Sequence, residues 1–203
     1  MKTLFQPNYQ SRPPRQPAKG LLFELGYNDL ICKSYDMLPW MIQYVKDNPR
    51  RLAIKREHPN YFRVRFDIEI NGQEFAAIGN RFLLDFPDKE QVQLSRKLTD
   101  EQIQQKTAEF LEMGKHGTVL VSPAISPGEQ AVMRAALDAK QPLIFLTPWG
   151  FTSFSKPRHQ YFEACAEGRF LILAPWPHQN EKMALTREMC LELNKMTKGI
   201  CMK

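Results

Sequence analysis

From Glu74 onward the chain alternates two rhythms of apolar residues. Residues 119–121, 142–146 and 170–174 are short apolar runs bounded by turn formers, as expected of strands covered on both faces. Between them apolar residues recur every three or four positions. Thr99 opens one such stretch, with Ile103, Thr107, Phe110 and Leu111 on one face. A second begins at Ser126, a third covers 158–167 and ends at Gly168, and the last, 184–198, carries Met189, Leu193, Met196 and Ile200. Thr99 with Gln102, and Ser126 with Glu129, have the spacing of capping boxes, and Pro127 stands where a helix tolerates proline best.

Upstream, 62–70 alternates strictly (Phe62, Val64, Phe66, Ile68, Ile70). Asn71-Gly72 then turns the chain into 74–78, which predicts a hairpin. Residues 82–84 form a brief apolar run before Pro87. A helix is expected from Asp36, with Leu38, Met41, Ile42 and Val45 as its apolar stripe, ending before Asn48-Pro49. Residues 1–20 are polar and proline-rich without periodicity, and are expected to be a disordered or extended arm.

Strands alternating with helices predict a mostly parallel sheet with right-handed crossovers. The expected fold is α/β: a Rossmann-like three-layer sandwich over 61–203, preceded by a basic helical segment over 21–60. Charge sharpens this division. The net charge of +6 arises wholly from the first 66 residues, which carry 12 Lys/Arg against 5 Asp/Glu. Lys46, Arg50, Arg51, Lys55, Arg56, Arg63 and Arg65 concentrate it, so attraction to nucleic-acid phosphates is expected there. A solvated basic face is the bland alternative.

The apolar runs fall short of the ~20 residues of a membrane span, and the N-terminus has no secretory apolar core. Cys32, Cys165, Cys190 and Cys201 stand singly, as do the four histidines. Reduced thiols in a cytoplasmic protein are expected, with no metal and no cofactor.

The segment 118–137 concentrates the candidate chemistry. An apolar strand stops at a small polar loop and a capped helix follows, so free N–H groups and a positive dipole end face the strand's carboxyl end. Ser122, Ser126, Gly128 and Glu129 line that loop. Glu129 is expected to complete the cap, or else to face a ribose hydroxyl or act as a general base. Arg81 follows a strand end and could grip a phosphate. Thr147, Trp149 and Gly150 follow the next strand, where Trp149 could stack on a base or simply pack. Thr186 and Arg187 open the last helix. Its methionines (Met183, Met189, Met196, Met202) are most simply core.

In order along the chain, Ile78-Gly79-Asn80-Arg81, 121–129, Ala135-Ala136-Leu137, 171–175 and Thr186-Arg187-Glu188 resemble the Rossmann domain of the DNA-processing A (Smf) family and its nucleotide-sensing relatives, over about 74–198. The chain departs from that pattern at Pro123, at Gly128-Glu129 and in keeping only Arg187 of a paired set. The resemblance implies single-stranded DNA binding without catalysis, while some fold relatives bind or hydrolyse nucleotides. It implies a nucleotide or phosphate site at Gly79, Asn80, Arg81, Ser122, Ser126, Gly128, Glu129, Thr186 and Arg187, to which the loop after the next strand adds Thr147 and Trp149. Gly26-Tyr27-Asn28-Asp29 and 44–51 resemble the end of the single-tyrosine transposase domain associated with repetitive palindromic elements. That likeness makes Tyr44 the match of a nucleophilic tyrosine, although the family's paired metal-binding histidines have no counterpart here.

Three functions follow as expectations. The first is a non-catalytic nucleic-acid binder with a Rossmann nucleotide or phosphate crevice, of mobile-element descent, with DNA the expected partner. The second is a nucleotide-sensing or N-glycosidic nucleotide-hydrolysing protein, with Glu129 as catalyst. The third is a structural protein with an empty crevice. No membrane partner is expected, and self-association stays open.

Overall fold

The computed structural model describes residues 37–180 and 184–202. The chain divides into two compact units, Met1–Asp47 and Asn48–Lys203. Of the first unit, the described part is the start of helix α1 (Met37–Glu57), where Leu38, Ile42 and Val45 are exposed. The expected arm, 1–20, lies outside the described residues.

The second unit begins within α1. A helical turn α2 (Pro59–Phe62) follows, then strands β1 (Arg65–Ile70) and β2 (Gln73–Gly79), a 3₁₀ turn (Arg81–Asp85) and β3 (Lys89–Gln91). Helix and strand then alternate: α3 (Asp100–Lys115), β4 (Val119–Ser122), α4 (Pro127–Asp138), β5 (Leu143–Leu146), α5 (Gln160–Ala166), β6 (Phe170–Ala174) and α6 (Arg187–Cys201).

The six strands form one sheet in the order β1-β2-β6-β5-β4-β3. β3, β4, β5 and β6 are parallel neighbours, whereas β2 is antiparallel to both β1 and β6. Alternate strand residues face opposite layers. Leu120, Leu143 and Phe170 pack with Val132 and Ala136 of α4, Phe162 of α5 and Phe62 of α2. Val121, Ile144, Leu146 and Leu173 pack on the other side with Leu193 and Ile200 of α6 and Leu83 of the 3₁₀ turn. The molecule is thus a Rossmann-like three-layer α/β sandwich. Among the described residues no helix is long and apolar enough to cross a membrane.

Both capping boxes form, and Asn71 and Gly72 turn the hairpin with positive φ. Two expectations are corrected. α1 does not stop before Asn48-Pro49 but runs through the proline to Glu57. Tertiary contacts hold its second half: Arg50 makes two bonds to the Glu163 carboxylate (3.0 and 2.6 Å), and the Arg51 guanidinium lies 3.8 Å from the Phe162 ring centroid. The alternation from Phe62 is not all strand, because Pro59 starts a helical turn that stacks Phe62 on Phe162 at 4.6 Å. The polar triplet Lys-Glu-Gln of β3 is an edge strand that the apolar pattern does not announce.

Candidate functional site

The loop expected to bind an anion is built as predicted, yet the N–H groups of Ala124, Ile125, Ser126 and Glu129 are already used. Ser122 Oγ donates to the Val92 carbonyl (2.8 Å) and accepts from Ala124 N–H (3.1 Å). Ser126 Oγ accepts from Glu129 N–H. The buried Glu129 carboxylate closes the remainder: one oxygen accepts from Ile125 N–H (2.8 Å) and Ser126 N–H (3.1 Å), the other from Leu94 N–H (3.2 Å). A carboxylate meeting three backbone donors takes the place an external anion would occupy. Gly128 keeps its neighbours close, since a Cβ there would lie 3.1 Å from Leu94 Cδ1. Glu129 is therefore a cap that also ties the segment after β3 to α4. Both of its oxygens are engaged by backbone N–H groups.

Gly79, Asn80 and Arg81 do not join this loop. β2 is antiparallel to β6, with Gly79 opposite Leu171, so its end lies at the amino end of the parallel strands. Gly79 (φ +115°) presses on the Phe170 carbonyl, which a Cβ would approach to 2.2 Å. Asn80 donates from N–H to the Phe170 carbonyl (2.9 Å) and from Nδ2 to the Gly168 carbonyl (2.6 Å). Grouping Arg81 with Ser122 in one crevice is corrected: a parallel β2 would have delivered Arg81 to the carboxyl edge, and an antiparallel one delivers it to the opposite edge.

At the carboxyl edge the residues form two clefts. The smaller, about 400 Å³, is lined by Arg96 and Arg187 together with Ser126, Glu129, Gln93 and Asn194. Thr186 caps α6 by accepting Met189 N–H (3.3 Å), so Arg187 enters this cleft from the first turn of a capped helix. The larger cleft, about 660 Å³, lies where the chain leaving β5 turns to α5 on one face while the chain leaving β6 turns to α6 on the other. Such divergence of neighbouring parallel strands opens a crevice above the sheet. Trp149, Trp176, His178 and Glu192 line it. Thr147 is buried and accepts Trp149 N–H through Oγ1 (3.2 Å), so it shapes the loop instead of facing the cleft. Trp176 and His178 are residues that sequence reasoning missed. Their signal was available, since both directly follow a buried strand, as Trp149 does.

The basic stretch is dispersed by the fold. Arg50 is committed to Glu163, and Arg65 forms two bonds with Asp67. Arg56 and Arg63 are exposed, and Lys46 is exposed on the part of α1 in the first unit. Lys55 instead feels the charge of Lys156, which arrives on the loop before α5, and that of Arg51 on its own helix. Burial first, then the charges of Lys156 and Arg51, hold the Lys55 pKa below the ordinary lysine value. Sequence reasoning had no local signal for Lys156. Tyr44 is exposed on α1, and residues 26–29, the other part of the transposase likeness, lie outside the described residues.

No family model and no curated protein matches the chain. Among solved structures, DNA processing protein A from Helicobacter pylori, studied for its single-stranded DNA binding mode, is similar at 20% identity and a TM-score of 0.49. The match covers 69% of this chain and 66% of that one, just under two thirds of the neighbour's length.

Proposed function

We propose that the chain is a non-catalytic nucleic-acid-binding protein that receives phosphates on the surface made by the second half of α1 and the loop before α5. The observation that carries this reading is that Lys55 on α1, with Arg51 on the same helix, lies within electrostatic reach of Lys156 on a separate element, so that burial first and then these two charges lower its pKa. Like charges gathered this way are unfavourable in the free protein and become favourable beside a polyanion, which also gains from counterion release. The hydrolytic alternative needs a carboxylate free to act on substrate, and both Glu129 oxygens already accept from backbone N–H groups.

The test is oligonucleotide binding across a salt series. Affinity should fall linearly on logarithmic axes, and Lys55→Ala with Lys156→Ala should flatten the slope by about one per lost phosphate contact. Binding that is absent, or indifferent to salt, overturns the proposal.

A second reading is favoured by the pairing of Arg96 with Arg187 in the smaller cleft: a free nucleotide held there by its phosphate. It expects a nucleotide-induced rise in melting temperature that Arg187→Ala abolishes.

A further inference from the structure

The larger cleft at the β5–β6 divergence has chemistry that a phosphate site does not explain. We infer that it binds an uncharged planar heterocycle of the nucleobase class against the indoles of Trp149 and Trp176. This goes beyond the phosphate reading and does not depend on it.

The cleft is preformed. A Cβ on Gly150 would lie 2.2 Å from His178 N, 2.3 Å from the Pro177 carbonyl carbon and 2.4 Å from the Trp176 carbonyl oxygen, so the two loops meet backbone to backbone. The Gly150 carbonyl accepts from His178 Nδ1 at 3.2 Å, and in the neutral ring this leaves Nε2 as an acceptor. Trp176 packs against the α6-side core, which fixes one aromatic wall. Trp149 remains 48% exposed beside it, an apolar surface that a stacked ring would cover.

The charge of the lining selects the ligand. Among the described residues the cleft has no lysine or arginine, and Glu192 contributes a carboxylate. That set is poor for a phosphate and suited to a ring with an exocyclic amino group, which Glu192 and His178 Nε2 can accept. At about 660 Å³ the space suits a nucleoside-sized ligand. The same ring could come from a free nucleoside or from a base of a bound strand.

Calorimetry on the full chain separates these sources and tests the site. Adenosine should bind, adenosine monophosphate no more tightly, and uridine, which lacks the amino group, more weakly. Trp149→Ala should weaken adenosine by about tenfold or more, the scale of one lost base–aromatic stack, with the melting temperature unchanged. Gly150→Ala should also lose binding, and Trp149→Ala keeps the test decisive if that variant misfolds.

An oligonucleotide is then compared with an abasic strand of equal length. Weaker binding of the abasic strand places a strand base in the cleft, and equal binding alongside bound adenosine points to the free nucleoside. Adenosine binding without oligonucleotide binding leaves this site standing while the phosphate reading fails. Oligonucleotide binding that ignores base removal, with no adenosine binding, overturns the cleft and leaves the phosphate reading intact.

Discussion

Glu129 shows how a single carboxylate can settle what a helix end is for. Its two oxygens satisfy three backbone donors from 2.8 to 3.2 Å while the side chain is buried. Glutamine keeps the shape but turns an NH₂ group toward at least one of those donors, leaving it unsatisfied. Glu129→Gln should therefore cost about 1–3 kcal/mol in urea unfolding, the penalty of an orphaned buried hydrogen-bonding group. Oligonucleotide affinity should not change, and a selective loss of binding at full stability would return Glu129 to the ligand site. Cys165 carries a second prediction at this scale. Burial pushes its thiol up to about 12, and its Sγ donates to the Phe170 carbonyl. At pH 8 only about one molecule in ten thousand would hold the reactive thiolate. Iodoacetamide should accordingly spare Cys165 in the native protein and label it in urea, as read by mass spectrometry.

Between elements, two glycines with positive φ separate conformational strain from collision. Gly72, in the hairpin turn at φ +77°, has open space where a Cβ would go. Gly79, ending β2 at φ +115°, has the Phe170 carbonyl there instead. Gly72→Ala should cost about 1 kcal/mol from backbone conformation alone. Gly79→Ala should cost several-fold more, because β2 must also separate from β6, and equal losses in thermal melts would contradict the joint described here. The hairpin and both capped helices were legible in the chain because their signals are local: Asn71-Gly72, Thr99 with Gln102, Ser126 with Glu129. The all-apolar β6 was legible for the same reason. The polar edge strand β3, the passage of α1 through Pro49, and the antiparallel sense of β2 were not. Each is decided by partners distant in sequence: Val119–Val121 for β3, Phe162 and Glu163 for α1, and the start of β6 for β2. The last of these moved Arg81 to the far edge, so the residues of the expected site were partly readable while their grouping was not.

For the molecule as a whole, the proposed phosphate surface has a pH signature whose sign follows from Lys55. Burial, then Lys156 and Arg51, lower its pKa from 10.5 in the folded chain. Below 10.5 and above that lowered value the folded protein binds fewer protons than the unfolded chain, so this group's contribution to stability rises with pH across that window. A bound polyanion acts in reverse: it favours charged Lys55, raises the pKa again and takes up a proton as it binds. Affinity should then fall as pH climbs through the lowered pKa of the free protein. Lys156→Ala removes the larger of the two repulsions. It should weaken binding at neutral pH, where one phosphate contact is gone, yet shift the alkaline fall to higher pH, because Lys55 holds its proton longer. Titration with an adenine-only oligonucleotide, whose bases do not ionise in the alkaline range, reads both effects together. A variant that binds more weakly with its alkaline fall unmoved would mean that Lys156 meets the phosphates without acting on Lys55, and the convergence of the three cations would then not be the feature that holds the ligand.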